Sequence, residues 1–190
     1  MKIGIFGGTF DPVHVGHMIL ANYVLEFTDV EQVRFVVSPF NPLKNNIVLD
    51  VESRLELVKL AVDGAPNMRA DNVEFGLPVP SYTINTIREL KKIFSNDQLV
   101  LILGTDNMQH FHQWDGYDEI LDMCEIYVYP RPNYPYTGQL LEHPKVKIIQ
   151  APMMEFSSTF IRESIKSGKN TKYYLPEKVF KKITESGFYL

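Results

Sequence analysis

Residues 2–17 read KIGIFGGTFDPVHVGH, a short apolar run that passes through two glycines to two histidines. The run KIGIF is typical of a buried strand, and the apolar residues that follow predict a helix. Gly7 and Gly8 allow the backbone to approach a ligand closely, and the N-terminus of a helix attracts an anion. Because His14 and His17 lie three residues apart at the start of this helix, both imidazoles can face one phosphate. The stretch therefore predicts a phosphate-binding junction between a strand and a helix.

The same residues also fit two simpler interpretations and one metal site. A glycine-rich turn is often only a tight connection, and paired histidines are often ordinary surface or core side chains. Zinc also binds imidazole pairs, but His110, His112 and His143 lack a carboxylate or cysteine partner in an evident ligand pattern. The order of the residues and their position after a strand favour phosphate. No metal site built by the protein itself is predicted.

The rest of the sequence alternates short β-branched runs with longer amphipathic stretches, which predicts an α/β fold around a parallel sheet. Strands are predicted at residues 2–6, 32–37, 98–103, 125–129 and 146–149. Helices are predicted at residues 15–27, 50–64, 82–94, 117–123, 158–166 and 176–186. Because several strands are apolar on both faces, helices should cover both sides of a doubly wound, Rossmann-like sheet. The 190 residues are expected to form a single domain, 1–190.

Composition restricts the partners of this chain. Its formal net charge is −4, which gives no electrostatic footprint for a nucleic acid. No apolar run approaches the roughly 20 residues of a membrane span, and no basic leader precedes the first strand, so a cytoplasmic location is expected. The single cysteine, Cys124, lies in the apolar run MCEIYVY and is predicted to be a buried core residue rather than a reactive thiol.

A second candidate phosphate-binding element is FSSTFIRES at residues 156–164. Ser157 or Ser158 is a suitable N-cap, Thr159 adds a hydroxyl group in the first turn, and Arg162 projects a planar guanidinium from the same helix start. Taken alone, this pattern is more typical of an ordinary capped helix with a surface arginine. Together with the first stretch, it indicates a second group of residues that binds phosphate.

The two stretches resemble the T/HxGH and ISSTxIR signatures of the nucleotidyltransferase superfamily. Over its full length the chain is similar to the bacterial nicotinate mononucleotide adenylyltransferases, with further matches at SPFNPLK, PSYTINTIREL, LGTD, RPNYP and YYLPEKV. It lacks the RTxGISTT-like element of cytidylyl-transferring relatives, which favours ATP over CTP. The resemblance implies transfer of the adenylyl group of ATP to nicotinate mononucleotide, release of pyrophosphate, and Mg²⁺ bound chiefly through the phosphates of the nucleotide.

The resemblance also implies roles for individual residues. The ATP-binding residues would be Gly7, Gly8, Thr9, Phe10, His14, His17, Ser157, Ser158, Thr159 and Arg162, with catalytic roles for His14, His17, Lys44 and Arg162. The acceptor nucleotide would be bound by Asn41, Lys44, Tyr82, Thr83, Gly104, Asp106, Trp114, Asp115 and Arg131. Trp114 would stack on the pyridine ring, while the segment at Tyr82 and Thr83 would offer a backbone N–H to the nicotinate carboxylate. Asp106 would hold ribose hydroxyls, although capping of a short helix is its simpler role.

Three positions depart from the family pattern. Leu43 stands where a histidine is frequent, Asn85 where an aspartate is common in the SYTxDT element, and Asp115 where an aromatic or basic residue is frequent. An added anion beside a bound carboxylate is unfavourable, so nicotinamide mononucleotide stays open as the acceptor. A nucleotide-binding protein without catalysis is a further alternative, and a homo-oligomer is one option for the assembly.

Overall fold

A six-stranded parallel sheet organises the protein, in a computed structural model that describes residues 1–39, 48–135 and 138–190. The strands are β1 (Lys2–Gly8), β2 (Gln32–Val37), β3 (Met68–Asp71), β4 (Gln98–Gly104), β5 (Cys124–Tyr129) and β6 (Val146–Ile148). Their order across the sheet is β3-β2-β1-β4-β5-β6, and every neighbouring pair is parallel. This is the order of a doubly wound, Rossmann-like fold, and it confirms the predicted fold class.

Helices connect the strands. They are α1 (Val15–Phe27), α2 (Val51–Val62), α3 (Thr83–Ile93), α4 (Thr105–Met108), α5 (Tyr117–Met123), α6 (Ser158–Lys166) and α7 (Glu177–Ser186). Single 3-10 turns lie at Val73–Gly76, Phe111–Gln113, Gln139–Glu142 and Lys172–Tyr174. The predicted strands and helices are confirmed, with ends that differ by no more than two residues.

Strand β3 is absent from the sequence prediction, and helix α4 enters it only as a short helix near Asp106, without bounds. The four residues of β3, MRAD, bury only Met68 and Asp71 and show no alternation that would mark a strand. Their extended shape depends on pairing with β2, where Val33 lies opposite Met68 and Val36 opposite Asp71. Helix α4 has only four residues, too few to show a helical period.

Apolar side chains cover both faces of the sheet. Phe6 and Val100 face a layer formed with α1, α2 and α7, whereas Ile5 and Leu101 face a layer formed with α3 and α5. Cys124 belongs to the second layer, and burial raises the pKa of its thiol to about 12. The predicted core role of this cysteine is confirmed. Within the residues described, no helix is long and apolar enough to cross a membrane.

A buried arginine of α2 fixes the loop that follows β1. Arg54 is only 1% exposed, and its guanidinium donates hydrogen bonds to the carbonyl oxygens of Thr9 at 2.6 Å and Ser38 at 2.8 Å, with a further bond to Leu49 at 3.1 Å. Burial lowers the pKa of Arg54, and the charge of Asp11 opposes this effect. The loops after β1 and β2 are therefore held together by one side chain from a helix.

Asp11, in the same loop, is contacted by residues from distant parts of the chain. Its carboxylate accepts hydrogen bonds from the backbone N–H of Val48 at 2.8 Å and from the hydroxyl of Tyr189 at 2.8 Å. Arg162 donates to its backbone carbonyl at 2.8 Å and lies 3.9 Å from its carboxylate. Because Asp11 is 2% exposed, these contacts replace the water that a carboxylate would otherwise bind.

Tyr189→Phe should destabilise the protein by about 1–3 kcal/mol, because it removes the shorter hydrogen bond to one oxygen of the buried Asp11 and leaves that oxygen only the Leu49 N–H at 3.4 Å. Burial, followed by the charge of Asp11, raises the pKa of Tyr189, so the hydroxyl stays a donor at every pH used for the assay. Urea unfolding measures the change. Tyr173→Phe is the matched control, since Tyr173 is 85% exposed, and it should alter stability by less than about 0.5 kcal/mol. Equal effects of the two substitutions would contradict the proposed importance of the Asp11 contact.

Candidate active site

The two histidines of the first motif meet at the start of α1. His14 is the N-cap, and its backbone N–H donates to His17 Nδ1 at 3.2 Å. Their rings stack, with centroids 3.7 Å apart and an angle of 23° between the planes. Since His17 Nδ1 accepts a hydrogen bond, the proton of the neutral ring resides on Nε2, which is a donor in both charge states. The Nε2–H group of His17 is therefore the ring donor of this residue that can face an anion.

The end of β1 and the loop before the histidines contain both open positions and positions buried in the core. A Cβ atom at Gly7 would meet nothing within 4 Å, so this position is open. A Cβ at Gly8 would come within 3.0 Å of the Phe10 ring. Phe10 has a positive φ of 48° and is 2% exposed, and its ring packs 5.1 Å from that of His17. The side chains of Phe10 and Thr9 are both buried, so these residues can contact ATP only through their backbones. The predicted ATP-binding role of both residues is thus limited to backbone contacts.

The second motif packs directly on this loop. Ser157 is the N-cap of α6 and accepts from the Phe160 N–H at 3.2 Å, whereas the Ser158 hydroxyl donates to the Pro12 carbonyl at 2.9 Å. Arg162 reaches the Thr159 hydroxyl at 3.3 Å in addition to its bond to the loop. The choice between the two serines is thereby decided: Ser157 caps the helix and Ser158 joins it to the loop. The start of α6 therefore packs against the loop that leads into α1.

An apolar cavity of about 270 Å³ opens beside the loop, between the carboxyl ends of β1 and β4. This is the point where the strand order reverses, the usual ligand crevice of such folds. Its lining comprises Ile5, Gly7, Gly8, Val36, Ser38, Glu74, Ser81, Tyr82, Thr83, Thr86, Leu101, Leu103, Asn107, Gln113, Trp114 and Asp115. Tyr82 and Thr83 stand at the start of α3, where backbone N–H groups lack partners within the helix. Trp114 is partly buried, 5.4 Å from the Phe111 ring.

Three further predicted residues meet where β4 and β5 end. Arg131 Nε donates to Asp106 Oδ2 at 3.4 Å, and the Arg131 N–H donates to the Thr105 hydroxyl at 2.9 Å. A Cβ at Gly104 would overlap Asp106 Oδ1 and come within 2.9 Å of Arg131 Cγ, so only glycine fits there. Gly104 is the N-cap of α4 and Asp106 lies inside that helix, which means that the capping role weighed for Asp106 is wrong.

Some predicted positions fall elsewhere. Asn41, Leu43 and Lys44 lie outside the described residues, so the roles of Asn41 and Lys44 stay predictions. Asn85 accepts from Arg88 within α3 at 3.3 Å, and the N-cap of this helix is Tyr82 rather than Asn85. Residues 1–39, 48–135 and 138–190 contain no group of three or more His, Cys, Asp or Glu side chains that could hold a metal ion.

The structure adds site residues that the sequence prediction misses. Gly16 lies against the first histidine, since a Cβ there would come within 3.0 Å of His14 Nδ1 and 3.5 Å of Met154 Cβ. Its place between the two histidines is a signal that could have found it. Glu74 and Thr86 line the cavity and are joined by a hydrogen bond of 2.8 Å. Nothing in the local sequence marks these two residues, because they meet only through the tertiary fold.

The fold, together with two helix starts that pack on one loop after β1, is the arrangement expected of a nucleotidyltransferase. Residues 5–164 match the model of the family described as Cytidylyltransferase-like. Because the match covers most of the sequence, the chain belongs to this family.

Proteins of similar sequence identify a narrower family within this one. A protein of Flavobacterium johnsoniae called "Probable nicotinate-nucleotide adenylyltransferase" is 46% identical over 100% of this chain and 99% of its own length. A protein of Bacteroides fragilis with the same name is 43% identical over 97% of this chain and 92% of its own. At such identity over the whole length, the chain is a member of the family of nicotinate-nucleotide adenylyltransferases.

Solved structures support the fold. Plasmodium falciparum nicotinic acid mononucleotide adenylyltransferase, complexed with NaAD, superposes with a TM-score of 0.83 at 16% identity, over 99% of this chain and 97% of its own. The same enzyme complexed with APC gives a TM-score of 0.81 over 99% of this chain and 96% of its own, also at 16% identity. At this identity the likeness concerns the fold alone.

Gly16→Ala should lower the rate of adenylyl transfer at least about tenfold, because the new Cβ displaces the His14 ring. Pyrophosphate release with saturating substrates measures the rate, and circular dichroism checks the fold. Gly76→Ala is the matched control, since a Cβ at Gly76 meets nothing within 4 Å and should leave the rate unchanged. A Gly16→Ala enzyme with full activity would show that the His14 position does not matter.

Proposed function

We propose that the protein transfers the adenylyl group of ATP to nicotinate mononucleotide, forming nicotinate adenine dinucleotide and pyrophosphate. One observation carries the proposal: the aromatic-lined cavity reaches Gly7 and Gly8 at the end of β1, directly before the loop that is predicted to bind phosphate. A phosphate held by the loop and a pyridine ring in the cavity would be neighbours. Adenylyl transfer to a pyridine nucleotide requires that proximity.

The reaction needs positioning more than proton transfer. A 5′-phosphate oxygen of the acceptor attacks the α-phosphorus of ATP in line, a new P–O bond forms, and the bond to pyrophosphate breaks. The attacking oxygen is already an anion at neutral pH, so no general base is needed. His14, His17 and Arg162 supply N–H donors that would stabilise charge on the transferring and leaving phosphates. Arg162 is held in place by the Asp11 carbonyl, which fixes its direction before ATP arrives.

The remaining parts of the proposal rest on the sequence. ATP would enter as its Mg²⁺ complex, with the ion bound by the phosphates of the substrate. Lys44 would reach those phosphates from its loop, and the chain would act as a single domain, 1–190. A cytoplasmic location stays a prediction.

Asp115 favours one second candidate, adenylation of nicotinamide mononucleotide. This aspartate is exposed and lines the same cavity as Trp114, so its charge would repel a bound carboxylate and tolerate a neutral amide. The two acceptors differ only in that group, and the same site would serve either.

Pyrophosphate release with ATP and Mg²⁺ tests the proposal, with nicotinate and nicotinamide mononucleotide compared over matched concentrations. We expect a higher kcat/KM for the acid, because the start of α3 offers N–H groups to a carboxylate. A higher value for the amide would assign the second candidate function. No release with either nucleotide, despite ATP binding, would indicate a binding protein without catalysis.

His17→Ala should lower kcat by about two to three orders of magnitude, since it removes a donor to the developing charge. His143→Ala is the control, because His143 precedes β6 and therefore lies at the edge of the sheet opposite the strand ends that form the site. The control should retain wild-type kcat. Wild-type turnover by His17→Ala would remove this histidine from the mechanism.

A further inference from the structure

A glutamate faces the cavity that would hold the pyridine ring. Glu74 lies in the 3-10 turn after β3 and is 7% exposed, and it lines the cavity together with Ser81, Thr86 and Trp114. The adenylyl-transfer mechanism uses none of its atoms. A buried acid that opens on a ligand cavity is a frequent feature of functional sites.

The hydrogen bonds around this acid are incomplete. Glu74 Oε1 accepts from the Thr86 hydroxyl at 2.8 Å. Glu74 Oε2 and the Ser81 hydroxyl are both buried, and neither makes a hydrogen bond of good geometry with the part of the chain that the structure describes. Buried polar atoms in proteins nearly always have partners. Two incomplete atoms on one cavity wall therefore indicate a ligand with polar atoms at this place.

The surroundings of Glu74 favour its neutral form. Burial raises the pKa of its carboxyl group, and the charge of Asp71 acts in the same direction. The hydroxyls of Thr86, Ser38 and Ser81 oppose this shift by favouring the ionised form.

Charged groups near the cavity do not offset its acids. Asp71 is itself paired with Arg34 at 2.6 Å, and the Arg34 charge is thereby taken up by that contact. Asp115 faces the cavity from the Trp114 turn, and no lysine or arginine is among the described residues that line it. A bound carboxylate would thus lie beside groups of like charge. If one of these acids is protonated, that repulsion is removed and its O–H can donate to the carboxylate.

We propose that Glu74, with Ser81, is the specificity-determining residue for the substituent on the pyridine ring. Neutral Glu74 donates its O–H to a nicotinate carboxylate, whereas ionised Glu74 accepts from a nicotinamide N–H. This inference rests on the proposed function, because it assumes a pyridine nucleotide in the cavity. Where Glu74 is ionised in the free protein, binding of the acid takes up one proton from solvent onto its carboxylate. Acidic conditions thus favour the acid, and alkaline conditions favour the amide.

Fluorescence provides a binding measurement that does not depend on turnover. Trp114 is the only tryptophan of the sequence and lines the cavity, so titration of either mononucleotide should change its emission. We would measure Kd for nicotinate and nicotinamide mononucleotide from about pH 5 to about pH 8.5, above the ordinary pKa of a glutamate. Both ligands carry the same 5′-phosphate, so its titration cancels in the ratio of the two Kd values.

For the wild-type protein, the ratio of Kd for the acid to Kd for the amide should rise with pH, by up to about tenfold per unit. Glu74→Gln should make the ratio independent of pH, because its amide group stays a neutral donor. It should also bind the acid more tightly than wild type at the alkaline end, which mere loss of structure would not produce. Asp115→Asn, the other acid of the cavity, should retain the slope. Ser81→Ala should weaken binding of the acid about three- to tenfold with the fold intact.

A flat ratio in the wild type, or a slope that persists in Glu74→Gln, would overturn the role of Glu74. Loss of the slope in Asp115→Asn would transfer that role to Asp115. If both nucleotides bind and pyrophosphate is released, the proposed function stands, whether or not the ratio of the two Kd values changes with pH. Absence of both binding and release would overturn the proposed function and this inference together.

Discussion

The site depends on the burial of Arg54 among backbone carbonyls. A guanidinium removed from water is costly unless its N–H groups are bonded, and the carbonyls of Thr9, Ser38 and Leu49 meet that need. Those carbonyls lie in separate segments of the chain, which the guanidinium joins. One buried cation thus fixes the loop that presents the histidines. Asp11 extends the same constraint to α6 and to the end of the chain through Arg162 and Tyr189.

The strand order explains why the loop after β1 lies beside the cavity. Helices leave β1 and β4 on opposite faces of the sheet, so the strand ends are left open between them. The glycines at the end of β1 border that gap, and Trp114 and α3 close its far side. The loop after β1 and the cavity therefore lie side by side at the same edge of the sheet.

Charge is unevenly distributed over this region. The side of the loop after β1 carries Arg162 and the stacked histidines, whereas the cavity side carries Glu74 and Asp115. A polyphosphate has charge to be neutralised, and a pyridine ring mostly needs apolar contact and fixed direction. Discrimination between an acid and an amide is then left to a few polar atoms in a poorly solvated place, where a single proton has a large effect on binding.

The sequence alone determined the parallel α/β fold, the strand-loop-helix junction with His14 and His17, and the second helix start with Arg162. These features are local, since glycine freedom, helix capping and apolar periodicity all act over a few neighbouring residues. Only the tertiary structure decided the edge strand β3, the Asp106–Arg131 pair, the burial of Arg54 and the place of Glu74 in the cavity. Each of these features joins residues that are far apart in the chain. In addition, the sequence around a charged loop residue does not show whether that residue is solvated or buried. Burial and pairing are properties of the packed molecule, and for that reason they follow from the fold and not from the local pattern.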